Sequence, residues 1–392
     1  VLESRLLRLT LGLVTPVPML RVVILICAVF SWALLVGPAQ AQSSERYSRA
    51  KLHKDLFASY EYLTSGEVDI YVIDSSAQFA GLMGREDLLS EIYAFWLGSG
   101  CTDISEAPPL ETLLEAADDT QIVILNEAHM MPLHRADPIG LIAALVERGF
   151  THYAYESFSD SIMTREGEIL TEDVYYSNDP IQGRLLTFLK DAGVKLVAYE
   201  GSGPDGREAA QAQALVERVF TEDEAARLIV VAGWAHAYEH IEGFAGQMMA
   251  SRLKDLSGVD PVTIQQTGCS LSRGASTALV GGYETNRGMS DGGATDFLLA
   301  HPALTFTNHR PNWRRVVGDL DVQIPDALKL ETEPVLIEAR IPGGSPEAIA
   351  IDRVMRAPGE TLPLLLPPGT YEVFGWTKSG PVETDPILIT VP

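Results

Sequence analysis

The chain has 392 residues, a formal net charge of −24, and 46% apolar against 21% charged residues. That balance is globular, which excludes a disordered tail or a collagen-like fibre, and the length suits two or three domains. With 53 acidic against 29 basic side chains, nucleic acid and anionic membrane surfaces are poor partners, because both are held by clustered Lys and Arg.

In chain order the first feature is a leader. Met19-Leu20-Arg21 precedes an apolar run over 22–36, and Ala39-Gln40-Ala41 closes it. A basic start, an apolar core and a small-residue end are the parts of a secretory signal peptide. The run is shorter than the ~20 residues that span a bilayer. We therefore expect 1–41 to be a signal peptide with Met19 as its start. The remainder is then an exported protein, periplasmic or secreted, with no membrane span after cleavage. Its cysteines would be Cys101 and Cys269, either a disulfide of the kind exported proteins carry or two buried thiols. Residues 42–118 show helix-like spacing at Leu88-Leu89, Ile92-Tyr93 and Phe95-Trp96-Leu97. They read as a helical lead-in with no catalytic pattern.

From residue 119 the pattern becomes strand–helix alternation. Strands are expected over 122–125, 152–155, 195–199, 228–232 and 261–264. Asp137-Pro138 and Asp179-Pro180 each open a helix, with Asp as cap and Pro in the first turn, and Gly149 and Gly193 close those helices. Further helices are expected over 205–219 and 239–256, with Thr221 and Glu224 as a capping box for a short turn. The class is α/β, a mostly parallel sheet with helices on both faces, over 119–317. Residues 318–392 hold short apolar runs at 335–339, 348–351, 361–366, 371–374 and 387–391, separated by Pro and Gly turns. They predict a small C-terminal β-sandwich-like domain without His or Cys, to which we assign no chemistry.

The informative residues follow the strands. The first strand leads into Asn126-Glu127-Ala128-His129, the second into Glu156, the third into Glu200, and the fourth into Gly233-Trp234-Ala235-His236. Open α/β sheets bind ligands at the carboxyl ends of their strands. Any one of these side chains can be a cap or a solvated acid, but two His and three Glu at equivalent positions point to a site. Converging carboxylates and imidazoles need a cation, a proton or an Arg to relieve them. Arg207 is the internal counter-charge, and a divalent metal is the alternative.

The motifs Asn126-Glu127-Ala128-His129 and Gly233-Trp234-Ala235-His236 resemble the paired G-x-x-H motifs of the TraB/Tiki group. The first also resembles the G-E-x-H of ChaN-like haem-binding proteins and of erythromycin esterases. Arg207-Glu208-Ala209-Ala210-Gln211-Ala212-Gln213 is similar to the R-[DE]-x-x-x-A-x-N segment of the esterase branch. The likeness covers about 119–267. Asn126 stands where these families have Gly, and Asn tolerates the left-handed backbone. With the leader, the resemblance implies an exported, metal-assisted hydrolase of ester or peptide bonds, acting on a small molecule or peptide, or else a haem- or metal-binding protein of the ChaN type.

Two hydrolytic mechanisms are open to these residues. In one, His129, His236 and Glu156 (or Glu127) hold a zinc- or manganese-type ion whose bound water attacks a carbonyl. In the other there is no metal. His129 is a general base oriented by Glu127 or Glu156, and Arg207 or His236 stabilises the oxyanion. In the haem alternative His129 and His236 are the ligands. Four lesser features stand beside these. His134-Arg135 either reaches the same rim or is structural, and His240 is a surface residue at a helix start. Tyr175-Tyr176 lines the pocket or packs. The basic stretch from His309 to Arg315 contacts an anionic substrate or forms an inter-domain joint.

Overall fold

The computed structural model describes residues 48–66, 74–89, 110–240, 247–267, 270–271, 277–280, 294–382 and 385–392. The expected leader, Cys101 and Cys269 lie outside the described residues. No helix among the described residues is long and apolar enough to cross a membrane.

Two helices, α1 (Arg49–Thr64) and α2 (Asp74–Leu82), form the lead-in, and α3 (Leu110–Asp118) comes next. Strands β1 (Ile122–Glu127), β2 (His152–Tyr155), β3 (Lys195–Val197), β4 (Leu228–Gly233) and β5 (Val262–Gln265) then alternate with helices. These are α4 (Ile139–Glu147), α5 (Pro180–Asp191), α6 (Arg207–Leu215) and α7 (Met249–Ser257). Three further strands, β6 (Ser270–Leu271), β7 (Thr277–Val280) and β8 (Phe297–Pro302), complete the sheet. Its order is β3-β2-β4-β1-β5-β8-β6, parallel throughout, with β7 antiparallel on β8. The α/β class read from the sequence is therefore the observed one.

Alternate residues of each strand face opposite layers, as the two-residue period of a strand requires. Val123, Leu125, Tyr153, Tyr155, Ile229 and Val231 pack with α3, α4 and α5 on one face. Ile122, Ile124, Ala154, Leu228 and Val230 pack with α6 and α7 on the other. Strands buried on both faces read as continuous apolar runs, which is why they are legible in the sequence. Asp179 caps α5 as expected, accepting from the Ile181 and Gln182 amides. Asp137 does not cap α4. Pro138 occupies the cap position, and Asp137 lies 2.6 Å from His301 Nδ1 instead. The Thr221 hydroxyl bonds back to the Val216 carbonyl, closing a π-turn over Val216–Phe220 rather than capping a new one. The last expected helix is found over Met249–Ser257, and His240 lies before it, off the helix.

After a two-residue ribbon of β9 (Phe306–Thr307) and β10 (Arg310–Pro311), the C-terminal strands begin. They are β11 (Leu320–Gln323), β12 (Val335–Arg340), β13 (Asp352–Arg356), β14 (Pro363–Leu366), β15 (Gly369–Thr377), β16 (Gly380–Pro381) and β17 (Ile387–Val391). A five-stranded antiparallel sheet carries β12 between β13 and β15, with β16 and β17 along β15. The β11–β14 pair shares an apolar core with that sheet. The strand expected over 348–351 is found at 352–356 instead. Its charged residues disguise it: Asp352, Arg353 and Arg356 are buried because Asp352 meets Arg310 at 2.6 Å and Arg353 meets Glu338 at 2.7 Å. Arg314 also meets Asp352 at 3.1 Å, and Arg315 meets Asp321 at 2.8 Å. The basic stretch from His309 to Arg315 is thus a joint of local ion pairs.

The lead-in braces the loop that leaves β1. Leu56, Phe57 and Tyr60 of α1 and Ala80 and Leu82 of α2 pack with Ala128, Met130 and Met131, the segment just beyond β1, and with Leu336 and Met355 of the C-terminal sheet.

Candidate active site at the carboxyl edge of the sheet

Parallel register sets the site. Glu127 pairs with Gly233 across β1 and β4, and Tyr155 pairs with Val231 across β2 and β4. The carboxyl ends of three adjacent strands therefore stop within two residues of each other, and Glu127, Glu156 and the turn holding His236 share one edge. Glu200 follows β3 at the same edge.

The first half of the site is Glu127 with His129. Glu127 is fully buried. One oxygen accepts from Arg135 Nη1 at 2.7 Å, and the other lies 3.2 Å from His129 Nδ1. Arg135 is itself held by Asp179 at 2.6 Å and by the His129 carbonyl at 3.3 Å. Burial alone would raise the Glu127 pKa; the Arg135 guanidinium and His129 outweigh it and hold the carboxyl below its usual range. A carboxylate facing Nδ1 fixes the tautomer with its proton on Nδ1 and leaves Nε2 as a lone pair. No described residue bonds Nε2. The Cε1–Nε2 edge of the His129 ring lies against Gly233, where any Cβ would overlap it, and the Tyr176 ring lies 4.1 Å away between centroids, tilted by 45°. His134 steadies the loop from beneath, its Nδ1 accepting from the Ala128 amide at 3.0 Å.

The second half is a network around Arg207, the first residue of α6. Its Nε and Nη2 donate to Glu200 at 2.8 Å each, its Nη2 also donates to Glu156, and its Nη1 lies 2.7 Å from His236 Nε2. Gln211 adds a 2.8 Å bond to Glu200. Glu156 takes the Gly233 amide as well. Burial pushes Glu156 up, but His236, Arg207 and His129 pull harder and leave it at about 2. A guanidinium only donates, so His236 Nε2 must accept and its proton sits on Nδ1, 2.7 Å from Glu208 Oε1. Burial lowers the His236 pKa, and Glu156 and Glu208 reverse that, so it stands above the usual imidazole value.

Two backbone details position these groups. Trp234 has φ +48°, a left-handed conformation that is uncommon for a bulky residue and costs of order 1–3 kcal/mol. Asn126 secures that turn: its Nδ2 donates to the Trp234 carbonyl at 2.8 Å, and its Oδ1 accepts from the Gln266 amide at 2.6 Å. The motif alone suggests a left-handed backbone at Asn126. It is instead a strand residue paired with Ala232, and its side chain is what matters.

All six sequence-derived site residues, Glu127, His129, Glu156, Glu200, Arg207 and His236, are brought to one edge. Arg135, Asp179 and Glu208 complete their pairings. Arg135 had a signal: it is the one cation in the apolar segment 130–133 and its flank, eight residues after Glu127. Glu208 adjoins Arg207 in the sequence, and only the fold shows that it meets His236.

The chemistry of this donor set decides how well a metal fits. The space between Glu156, Glu200 and His236 holds the Arg207 cation, which engages every one of those acceptors. Among the described residues no three His, Cys, Asp or Glu side chains are arranged to hold an ion. Haem fits no better, since His129 packs on the Gly233 backbone and His236 Nε2 faces Arg207. We derive no step through either group.

No family model and no curated protein matches the chain. Among solved structures it is similar to a chain described as bacterial protein toxins, at 16% identity and TM-score 0.30, covering 64% of this chain and 49% of that one. It is similar also to the type III effector HopBA1, at 14% identity and TM-score 0.33, covering 50% and 97%. A third is RRSP, a MARTX toxin effector domain from Vibrio vulnificus, at 16% identity and TM-score 0.31, covering 64% and 47%. The chain thus spans about half the length of the first and third of these. TM-scores this low carry no argument about fold or chemistry.

Proposed function

We propose that the protein is a metal-independent hydrolase of ester or amide bonds, working from the carboxyl edge of the sheet. His129 Nε2 takes a proton from water as the water oxygen bonds to the substrate carbonyl carbon and the carbonyl electron pair moves onto oxygen. The same Nε2–H then protonates the leaving group as the carbonyl re-forms. Glu127 orients the ring and balances the imidazolium. Arg135 and Asp179 keep Glu127 ionised and in place. The Arg207 network binds Glu156 and His236 into a fixed charged wall beside the ring.

The observation that carries this reading is the Glu127–His129 contact at 3.2 Å, with Arg135 on the far carboxylate oxygen and the imidazole Nε2, beside Gly233, bonded by no described residue. A base, an orienting acid and a lock on that acid are what general-base catalysis requires of geometry. The test is a screen against esters, lactones and peptides in chelator. Turnover that persists in chelator and is lost in His129→Ala and Glu127→Gln supports the reading. Turnover that survives both substitutions, or no turnover at all, sinks it.

A further inference from the structure

The proposed reaction needs a donor for the oxygen on which negative charge develops, and the nearby cations are mostly committed: Arg207 and Arg135 each place four of their five N–H groups on neighbours. Each nitrogen of Arg207 is engaged by Glu156, Glu200 or His236. Each nitrogen of Arg135 is engaged by Asp179, Glu127 or the His129 carbonyl. The Gly233 amide is on Glu156, and His129 Nδ1 is on Glu127. The Tyr199 hydroxyl donates to the Val231 carbonyl at 2.8 Å, and the Tyr155 hydroxyl lies against Glu127.

Two buried hydroxyls beside Glu127 and His129 remain, those of Tyr155 and Tyr176; the first has the Glu127 carboxylate against it and the second lies beside His129. The Tyr176 hydroxyl is shut away from water and has no hydrogen-bond partner among the described residues. Its ring packs on His129 at 4.1 Å. The position is built, not accidental. The loop after β2 folds back on itself through a bridge between Phe158 and Val174, a 2.9 Å bond from the Tyr175 amide to the Ser157 carbonyl, and the Ser157–Ser177 hydroxyl pair. Asp173 ties the loop internally to Ser161, Arg165 and the Leu170 amide at 2.6–2.8 Å. Tyr176 is therefore held between the Tyr175 and Ser177 ties, over the end of β2 that delivers Glu156. Burial and then the nearby Glu156 charge push its acidity down, so it stays a protonated donor. Burying a hydroxyl unpaired is unfavourable, and such cost is tolerated where a ligand later supplies the partner.

Resting on the hydrolase reading above, we propose that Tyr176 is a catalytic residue whose hydroxyl donates to the oxyanion formed when water attacks the substrate carbonyl. The acceptor is the former carbonyl oxygen, which holds the displaced electron pair until the leaving group departs; no proton need leave Tyr176.

Tyr176→Phe keeps the ring on His129 and removes only the hydroxyl. The expected result is a fall in kcat of about 10²–10³-fold, a KM little changed, and an acid limb of the pH–rate profile that stays in place. Because an unpaired buried hydroxyl is removed, Tm should rise, by about 2–4 °C. Tyr175→Phe, the exposed neighbour, should behave as wild type. Tyr176→Leu, which also strips the packing from His129, should lose kcat and move the acid limb. A Tyr176→Phe enzyme with kcat within twofold of wild type overturns the proposal while leaving the hydrolase reading intact. An unchanged or lowered Tm shows a hydroxyl already satisfied and overturns it too. A wild-type protein without turnover on any ester, lactone or peptide overturns both.

Discussion

Two buried glutamates, Glu127 at the sheet edge and Glu338 in the C-terminal sheet, begin from the same chemistry and end differently. Both are fully buried, and each meets a histidine at 3.2 Å. Both are held ionised by guanidinium groups that outweigh the cost of burial. Glu338 is enclosed, taking Arg353 at 2.7 Å, Arg340 at 2.8 Å and His53 Nε2, with His53 backed by Trp376. It pins α1 to the C-terminal sheet. Glu127 has a single guanidinium, and its histidine turns Nδ1 inward and leaves Nε2 unbonded. A perturbed, buried ion network therefore does not mark a site by itself. What separates the two is their place and their closure: Glu338 is shut between two guanidinium groups, while Glu127 has one and stands at the carboxyl edge of the parallel sheet.

The contrast can be broken by substitution. The largest effect should be on rate: His129→Ala or Glu127→Gln should lower kcat/KM by about 10²–10⁴-fold, read on any substrate the screen yields. Gly233→Ala should come next. Its new Cβ overlaps the His129 ring, and displacing a base by about 1 Å costs about 10²-fold in kcat. At Glu338 the pattern should invert. Glu338→Ala leaves Arg340 and Arg353 buried and unpaired, so urea unfolding should show a loss of about 3–5 kcal/mol with kcat per folded molecule unchanged.

Smaller effects sharpen the same comparison. Asn126→Ala removes the hold on the strained Trp234 turn and should destabilise by about 1–3 kcal/mol, with activity falling further than stability alone explains. The smallest effect is pH-linked. His134 is kept neutral by burial, with His301 and Arg135 adding to it, so its pKa lies well below 6.5. The unfolded chain then binds that proton more readily than the folded one. The contribution of His134 to stability is whole above about pH 6.5 and is lost as pH falls beneath it. Glu156, held at about 2, adds a second loss from about pH 4.5 down towards 2. Tm followed from pH 8 to pH 2 should fall in that order, and His134→Gln should flatten the upper step.

What the sequence made legible was period and position. Apolar strands such as Ile122–Glu127 and Leu228–Gly233 announce burial on both faces, and the residues after them converge because parallel register lets them do nothing else. The illegible parts depend on pairing across long separations. Asp352–Arg356 looks too charged for a buried strand until Arg310 and Glu338 are placed beside it. Arg135 looks like a loop cation until Glu127 and Asp179 close on it. Asn126 reads as a Gly substitute until its amide is seen to hold Trp234, 108 residues away. Local pattern reports which face is apolar; it carries no record of which ion pair satisfies a buried charge.

The central claim is that the Glu127–His129 pair hydrolyses its substrate without a metal. The most direct measurement is kcat/KM on the best substrate of the screen, before and after exhaustive chelation, with metal content verified at each stage. The account predicts the same value in both states and no gain on adding zinc or manganese. Loss of activity on chelation, restored by either ion, would contradict it.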